Sequence, residues 1–179
     1  MNDGDKIKVI TIVQHACDLL ENSDCLALLA LDHEGKQIII AFRGGMTQDT
    51  PINEPTVHNL VGGKVNSILA MALNAVWSPL KSTLYKLSID FSSYTVTFTG
   101  HSWGGALAVL ASADWAVTMP TMMQKIELYT FGQPRVGNYN FAHKMFVHVP
   151  RAWRVVHRGD ALVHTPRCSG CKQAQQTAS

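Results

Sequence analysis

The residues best suited to covalent chemistry are Gly100-His101-Ser102-Trp103-Gly104, a Gly-x-Ser-x-Gly run. A serine hydroxyl is a weak nucleophile until a base takes its proton, and it is best presented on a strained turn between a strand and a helix. That context surrounds Ser102. Tyr94 to Thr99 is β-branched and aromatic, and an alanine-rich segment, Gly104 to Met119, follows at once. Gly100 and Gly104 leave room for a tight turn and for close approach of the helix. The pattern points to Ser102 as the nucleophile of an ester-cleaving or acyl-transfer site, with a plain serine N-cap as the alternative. A tetrahedral oxyanion would need two donors. The backbone N–H of Trp103, at the positive end of the following helix, is one candidate. Gly45, closing Phe42-Arg43-Gly44-Gly45, is the other, unless that glycine pair is simply a turn.

Elements that could position these residues are legible in the apolar spacing. Leu26 to Leu31 and Ile38 to Phe42 predict two neighbouring strands joined by a turn at Asp32-His33-Glu34-Gly35. The second strand lacks polar alternation and is expected to be buried on both faces. Residues 46 to 60 read as an irregular connection. From Lys64 the spacing turns helical, with Val65, Ile68, Leu69, Ala72, Leu73 and Val76 on one stripe. Pro79 is expected to break that helix, so that Leu80, Leu84 and Leu87 begin another. Ile126 to Phe131 predicts a strand, Phe141 to Val147 a short helix, and Trp153 to His157 a last strand. Strands alternating with helices imply an α/β domain with a largely parallel sheet, over residues 1–171, followed by a loose tail at 172–179.

Composition narrows the partners. The chain has 179 residues, 46% hydrophobic and 16% charged, enough for one domain with a sizeable core. A net charge of +2 and no Lys/Arg cluster give no reason to expect a nucleic-acid partner. No apolar run is long enough for a membrane span, and the first residues lack the apolar region of a signal peptide. The four cysteines form two local pairs, Cys17/Cys25 and Cys168/Cys171, which fit two disulfides in an oxidising compartment. Free thiols, a redox Cys-x-x-C and a zinc site are the rivals. The first pair is spaced too widely for zinc, and the second lies in a polar tail rather than at a strand-to-helix turn. No metal site is expected.

Several blocks, in order, resemble the class 3, or fungal-type, triacylglycerol lipases. They are Ile39-Ile40-Ala41-Phe42-Arg43-Gly44, Gly62-Gly63-Lys64-Val65, Thr99 to Ala108, and Tyr129-Thr130-Phe131-Gly132-Gln133-Pro134-Arg135-Val136-Gly137-Asn138. The Gly62-Gly63-Lys64 segment and the cysteine pairs look most like the secreted nematode branch, and the resemblance covers about residues 20 to 171. It implies an α/β-hydrolase fold, an extracellular setting and hydrolysis of acylglycerol esters at a lipid interface, without a cofactor. Nothing in the sequence identifies a protein partner. It also implies Asp160, within Arg154 to Pro166, as the acid that orients the catalytic imidazole, where the residues alone would equally allow a turn aspartate. Residues 46 to 60 lie where the family keeps its lid.

Two departures from the family pattern stand out. Gly45 replaces the usual Thr or Ser after Arg-Gly, keeping an N–H but losing a hydroxyl. No histidine follows His164, whereas the family's base comes well after the acid or just after a Cys-x-x-C. His164, four residues after Asp160, is the one candidate in the order Ser, Asp, His, and the reach is short. His101 matches a non-catalytic family position. The chain therefore resembles a family member lacking its first and last segments, with weak or no turnover expected. A non-catalytic lipid-binding protein on the same fold and a hydrolase of other acyl substrates are the alternative readings.

Overall fold

A computed structural model describes residues 7–16, 24–45, 56–58 and 61–166. The strands are β1 (Ile7–Ala16), β2 (Asp24–Asp32), β3 (Gln37–Phe42), β4 (Val57–His58), β5 (Lys64–Val65), β6 (Thr95–His101), β7 (Ile126–Phe131) and β8 (Arg151–Val155). The helices are α1 (Ser67–Asp90), α2 (Trp103–Thr118) and α3 (Tyr139–His148), with 3-10 turns at Pro120–Lys125 and Leu162–His164. Six strands form one sheet in the order β1-β2-β3-β6-β7-β8 among the described residues. The β1/β2 and β2/β3 pairs are antiparallel, and β3, β6, β7 and β8 run parallel. Parallel neighbours require crossovers, which α1, α2 and α3 supply.

One face of the sheet carries the core. Leu29, Ile40, Phe98 and Leu128 lie in register across four strands, each at most 4% exposed. α1 covers β2 and β3, and α2 covers β3, β6 and β7. The apolar stripe of α1 is buried at Leu69, Ala72, Leu73 and Val76, as its helical spacing predicts. Asn66 caps that helix by accepting from the Leu69 N–H at 3.1 Å. α2 is buried on nearly all sides, and its small residues Gly104, Gly105, Ala106 and Ala108 let it lie close to the strands beneath.

Three expectations need correction, and one strand, β1, was not anticipated. α1 runs unbroken through Pro79. Proline removes one donor, from the Ala75 carbonyl, but its ring lies on the exposed side while Val76, Trp77, Leu80 and Leu84 are buried. Their packing outweighs the local loss. β1 was not legible because its pairing with β2 shifts between Val9 and Thr11, which interrupts the period-two alternation. β3 buries one face fully, at Ile38, Ile40 and Phe42, whereas Ile39 and Ala41 are only partly covered. Within the segment read as irregular, Val57–His58 pairs with Lys64–Val65, a ladder too short for any periodic signal. The rest of 46–60 and the tail from 167 lie outside the described residues.

Candidate functional site

Ser102 follows the last residue of β6 and immediately precedes α2. Its backbone has φ 56° and ψ −126°, a left-handed conformation that costs an ordinary residue about 1–3 kcal/mol. The turn is pinned from both sides. The Ser102 N–H donates to the Phe131 carbonyl at 2.8 Å, and the Ser102 carbonyl accepts from Ala106 N–H at 3.3 Å, opening α2. The hydroxyl makes no capping bond to the helix. Ser102 therefore occupies the N-cap position without doing the work of an N-cap, and its strained backbone has no capping gain to offset it.

Glycines make this turn possible. A methyl group on Gly100 would lie 2.3 Å from the carbonyl carbon and oxygen of Gly104. One on Gly104 would lie 2.2 Å from the Phe42 carbonyl oxygen and 2.8 Å from Gly44 N. The backbone at the end of β3 thus rests directly on the start of α2. Gly44 in turn approaches the elbow, its added methyl falling 2.5 Å from the His101 carbonyl oxygen and 3.5 Å from the Ser102 Cβ. Gly45 follows with φ +111° and is exposed. The Arg43-Gly44-Gly45 loop thus passes beside Ser102 at Gly44, and Trp103 is buried at the first turn of α2.

Asp160 lies on the loop after β8, half-buried. Its N–H donates to the His157 carbonyl at 3.0 Å, and its Oδ1 accepts from the Leu162 N–H at 2.9 Å. The other oxygen, Oδ2, turns towards Gly132, where an added methyl would meet it at 3.2 Å. The same methyl would meet His101 Nε2 at 3.4 Å. Gly132 has φ +58° and directly follows Phe131, whose carbonyl holds Ser102. The structure thus gathers Ser102, His101 and Asp160 around the Phe131–Gly132 peptide. His164 is exposed on its 3-10 turn, and its ring makes no hydrogen bond or ion pair with Asp160.

Two residues that the sequence did not single out complete the surroundings. Arg154 Nη2 donates to the carbonyls of Gln133 and Val163, each at 2.7 Å. Arg135 donates from Nη1 to the Pro166 carbonyl at 2.9 Å and from its backbone N–H to the Thr165 carbonyl at 2.8 Å. Burial holds the Arg154 guanidinium below its ordinary pKa; the Arg135 charge adds to the lowering and the Asp160 carboxylate opposes it. Arg135 was visible only as part of a motif, and Arg154 as one basic residue on a strand. Their partners are distant in sequence, so no local signal marks them. Cys25 is buried on β2 and disulfide-bonded, while Cys17, Cys168 and Cys171 lie outside the described residues.

A mostly parallel open sheet with a serine on a strained strand-to-helix turn is the arrangement of the α/β-hydrolase fold. A family model for lipase (class 3) matches residues 32–170, and the chain belongs to that family. It is 34% identical over 159 residues to Lipase ZK262.3 of Caenorhabditis elegans, covering 85% of this chain and 44% of that protein. It is 28% identical over 149 residues to secreted mono- and diacylglycerol lipase 1 of Fusarium solani, covering 78% of this chain and 42% of that one. A solved triacylglycerol lipase, described as having a serine protease triad for its catalytic centre, matches with a TM-score of 0.82 at 30% identity. That match covers 90% of this chain and 62% of the other. The chain thus spans less than half the length of these two sequence relatives.

Proposed function

We propose that this chain carries the nucleophile and acid of a serine ester hydrolase acting on acylglycerol esters, in lipid metabolism. The observation that carries the reading is the Ser102 backbone, held at φ 56° with a hydroxyl that caps nothing. Strain of this kind persists only where the surroundings enforce it, and here it presents the Oγ at the carboxyl edge of the sheet. Ser102 Oγ attacks the ester carbonyl and forms the acyl-enzyme. The N–H groups of Trp103 and Gly45 receive the oxyanion, at the positive end of α2. Asp160 Oδ2, free of partners among the described residues, holds the imidazole that takes the Ser102 proton.

No imidazole is bonded to Asp160 among the described residues, so slow turnover is expected of this chain by itself. The disulfide at Cys25 and the secreted relative support an extracellular setting. The continuous sheet from β1 to β8 among the described residues supports one domain within residues 1–171.

Labelling with a fluorophosphonate probe tests the assignment. Wild type should label at Ser102 and hydrolyse short-chain acylglycerols slowly, and Ser102→Ala should lose both. Binding of lipid without labelling or turnover would instead make the chain a non-catalytic lipid-binding member of the family. Faster turnover of thioesters or phospholipids than of acylglycerols would reassign the substrate.

A further inference from the structure

Asp160 is the least anchored group of the site as far as its own neighbours in sequence are concerned. Its loop, residues 156 to 166, has only a single 3-10 turn, Leu162–His164, as regular structure. Within the loop, Asp160 N–H bonds to the His157 carbonyl, Leu162 N–H to Asp160 Oδ1, and the Thr165 hydroxyl to the Leu162 carbonyl at 2.7 Å. These bonds shape the loop but do not tie it to the sheet. The ties come from two arginines. Arg154 Nη2 joins the Gln133 carbonyl, beside Gly132, to the Val163 carbonyl, and Arg135 holds the far end at Thr165 and Pro166. A guanidinium is suited to this because its donors are rigidly arranged and it remains charged at every pH of interest.

We propose that Arg154 is a positioning residue for Asp160: by bridging the Gln133 and Val163 carbonyls, it sets where the carboxylate stands relative to Gly132 and Ser102. The contact is direct to backbone on both sides, so the distance between the two loops is set by the width of one nitrogen's donor geometry. A lysine ammonium also has donors for two carbonyls, but on its flexible stem it would not hold them in the fixed plane of a guanidinium. Arg154 touches no substrate on this account and acts only through the acid. The inference rests on the role given to Asp160 above.

The test compares wild type with Arg154→Gln, Arg154→Lys and Arg154→Ala, by amide hydrogen exchange and by ester kinetics. Arg154→Gln should speed exchange at Leu162 and Asp160 at least tenfold while amides of β6 and α2 keep their protection. Turnover should fall ten- to a hundredfold in kcat, with KM within about twofold. Arg154→Lys should fall between, and a low, non-denaturing concentration of guanidinium ion should partly restore Arg154→Ala in both measurements. Unchanged exchange at Leu162 with unchanged kcat would overturn the proposal. So would a loss of protection throughout the sheet in both Arg154→Gln and Arg154→Lys, since Arg154 would then be holding the fold rather than the acid. If wild type lacks both fluorophosphonate labelling and turnover, the hydrolase reading fails, while the exchange data still decide whether Arg154 holds Asp160.

Discussion

Ser102 and Asp160 meet at the same Phe131–Gly132 peptide, but the chain brings them there in different ways. Ser102 is held by steric contact between Gly100 and Gly104, by the end of β3 against Gly104, and by its N–H bond to Phe131. Gly100 and Gly104 lie on either side of it, and their backbones touch at distances that admit no side chain. Asp160 is held by hydrogen bonds from residues far along the chain. Arg154 reaches back 21 residues to Gln133, and Arg135 reaches forward 31 residues to Pro166. Steric exclusion is short-ranged and steep, so the elbow has one geometry or none. Hydrogen bonds to a loop can be lost one at a time, and the loop then loosens without the sheet unfolding. The nucleophile arm should therefore fail through stability, and the acid arm through activity.

Substitutions on each arm sharpen that contrast. The largest effect is expected from Asp160→Asn, which keeps an oxygen for the Leu162 N–H but no longer favours the correct imidazole tautomer. The slow turnover of the chain should fall further, with little change in thermal midpoint. Equal loss of stability, seen by calorimetry, would show that the carboxylate also holds the loop together. Gly100→Ala should act the other way. Its methyl meets backbone that cannot rotate aside, so a loss of about 3 kcal/mol by denaturant unfolding is expected. A near-neutral result would mean that the elbow has slack and that sterics do not define it.

The smallest effect is expected from Ser102→Gly. Removing the side chain relieves the left-handed strain, against a gain of freedom in the unfolded chain. A net rise in stability of about 1 kcal/mol should accompany complete loss of fluorophosphonate labelling. Denaturation midpoints of Ser102→Gly and Ser102→Ala measured side by side would check this. If the alanine variant is the more stable, strain at Ser102 is not the cost assigned to it.

What could be read from the residues follows the same division. The Gly-His-Ser-Trp-Gly run lay between a β-branched strand and an alanine-rich helix, and both elements formed where spacing put them, at Thr95–His101 and Trp103–Thr118. The buried stripe of α1 and the strand Ile126–Phe131 were equally legible, because burial on one face imposes a period on the sequence. The passage of α1 through Pro79 was not. Proline carries a strong local signal, and only the buried contacts of Val76, Trp77, Leu80 and Leu84 outweigh it. The bulged β1 and the two-residue β4 and β5 gave no period to detect.

The sequence by itself thus determined the candidate nucleophile, its strand-to-helix setting and the glycines that permit it, since their signal lies within a few residues. Tertiary structure decided where Asp160 points, which of the histidines stands nearby, and that Arg154 and Arg135 tie its loop to the sheet. His101 rather than His164 faces the same point over Gly132 as Asp160 Oδ2, although His164 is much nearer to Asp160 in sequence. The reason is geometric. Parallel strands β6 and β7 bring His101 and Phe131 into register, whereas the 3-10 turn leaves the His164 ring exposed and unbonded to the acid.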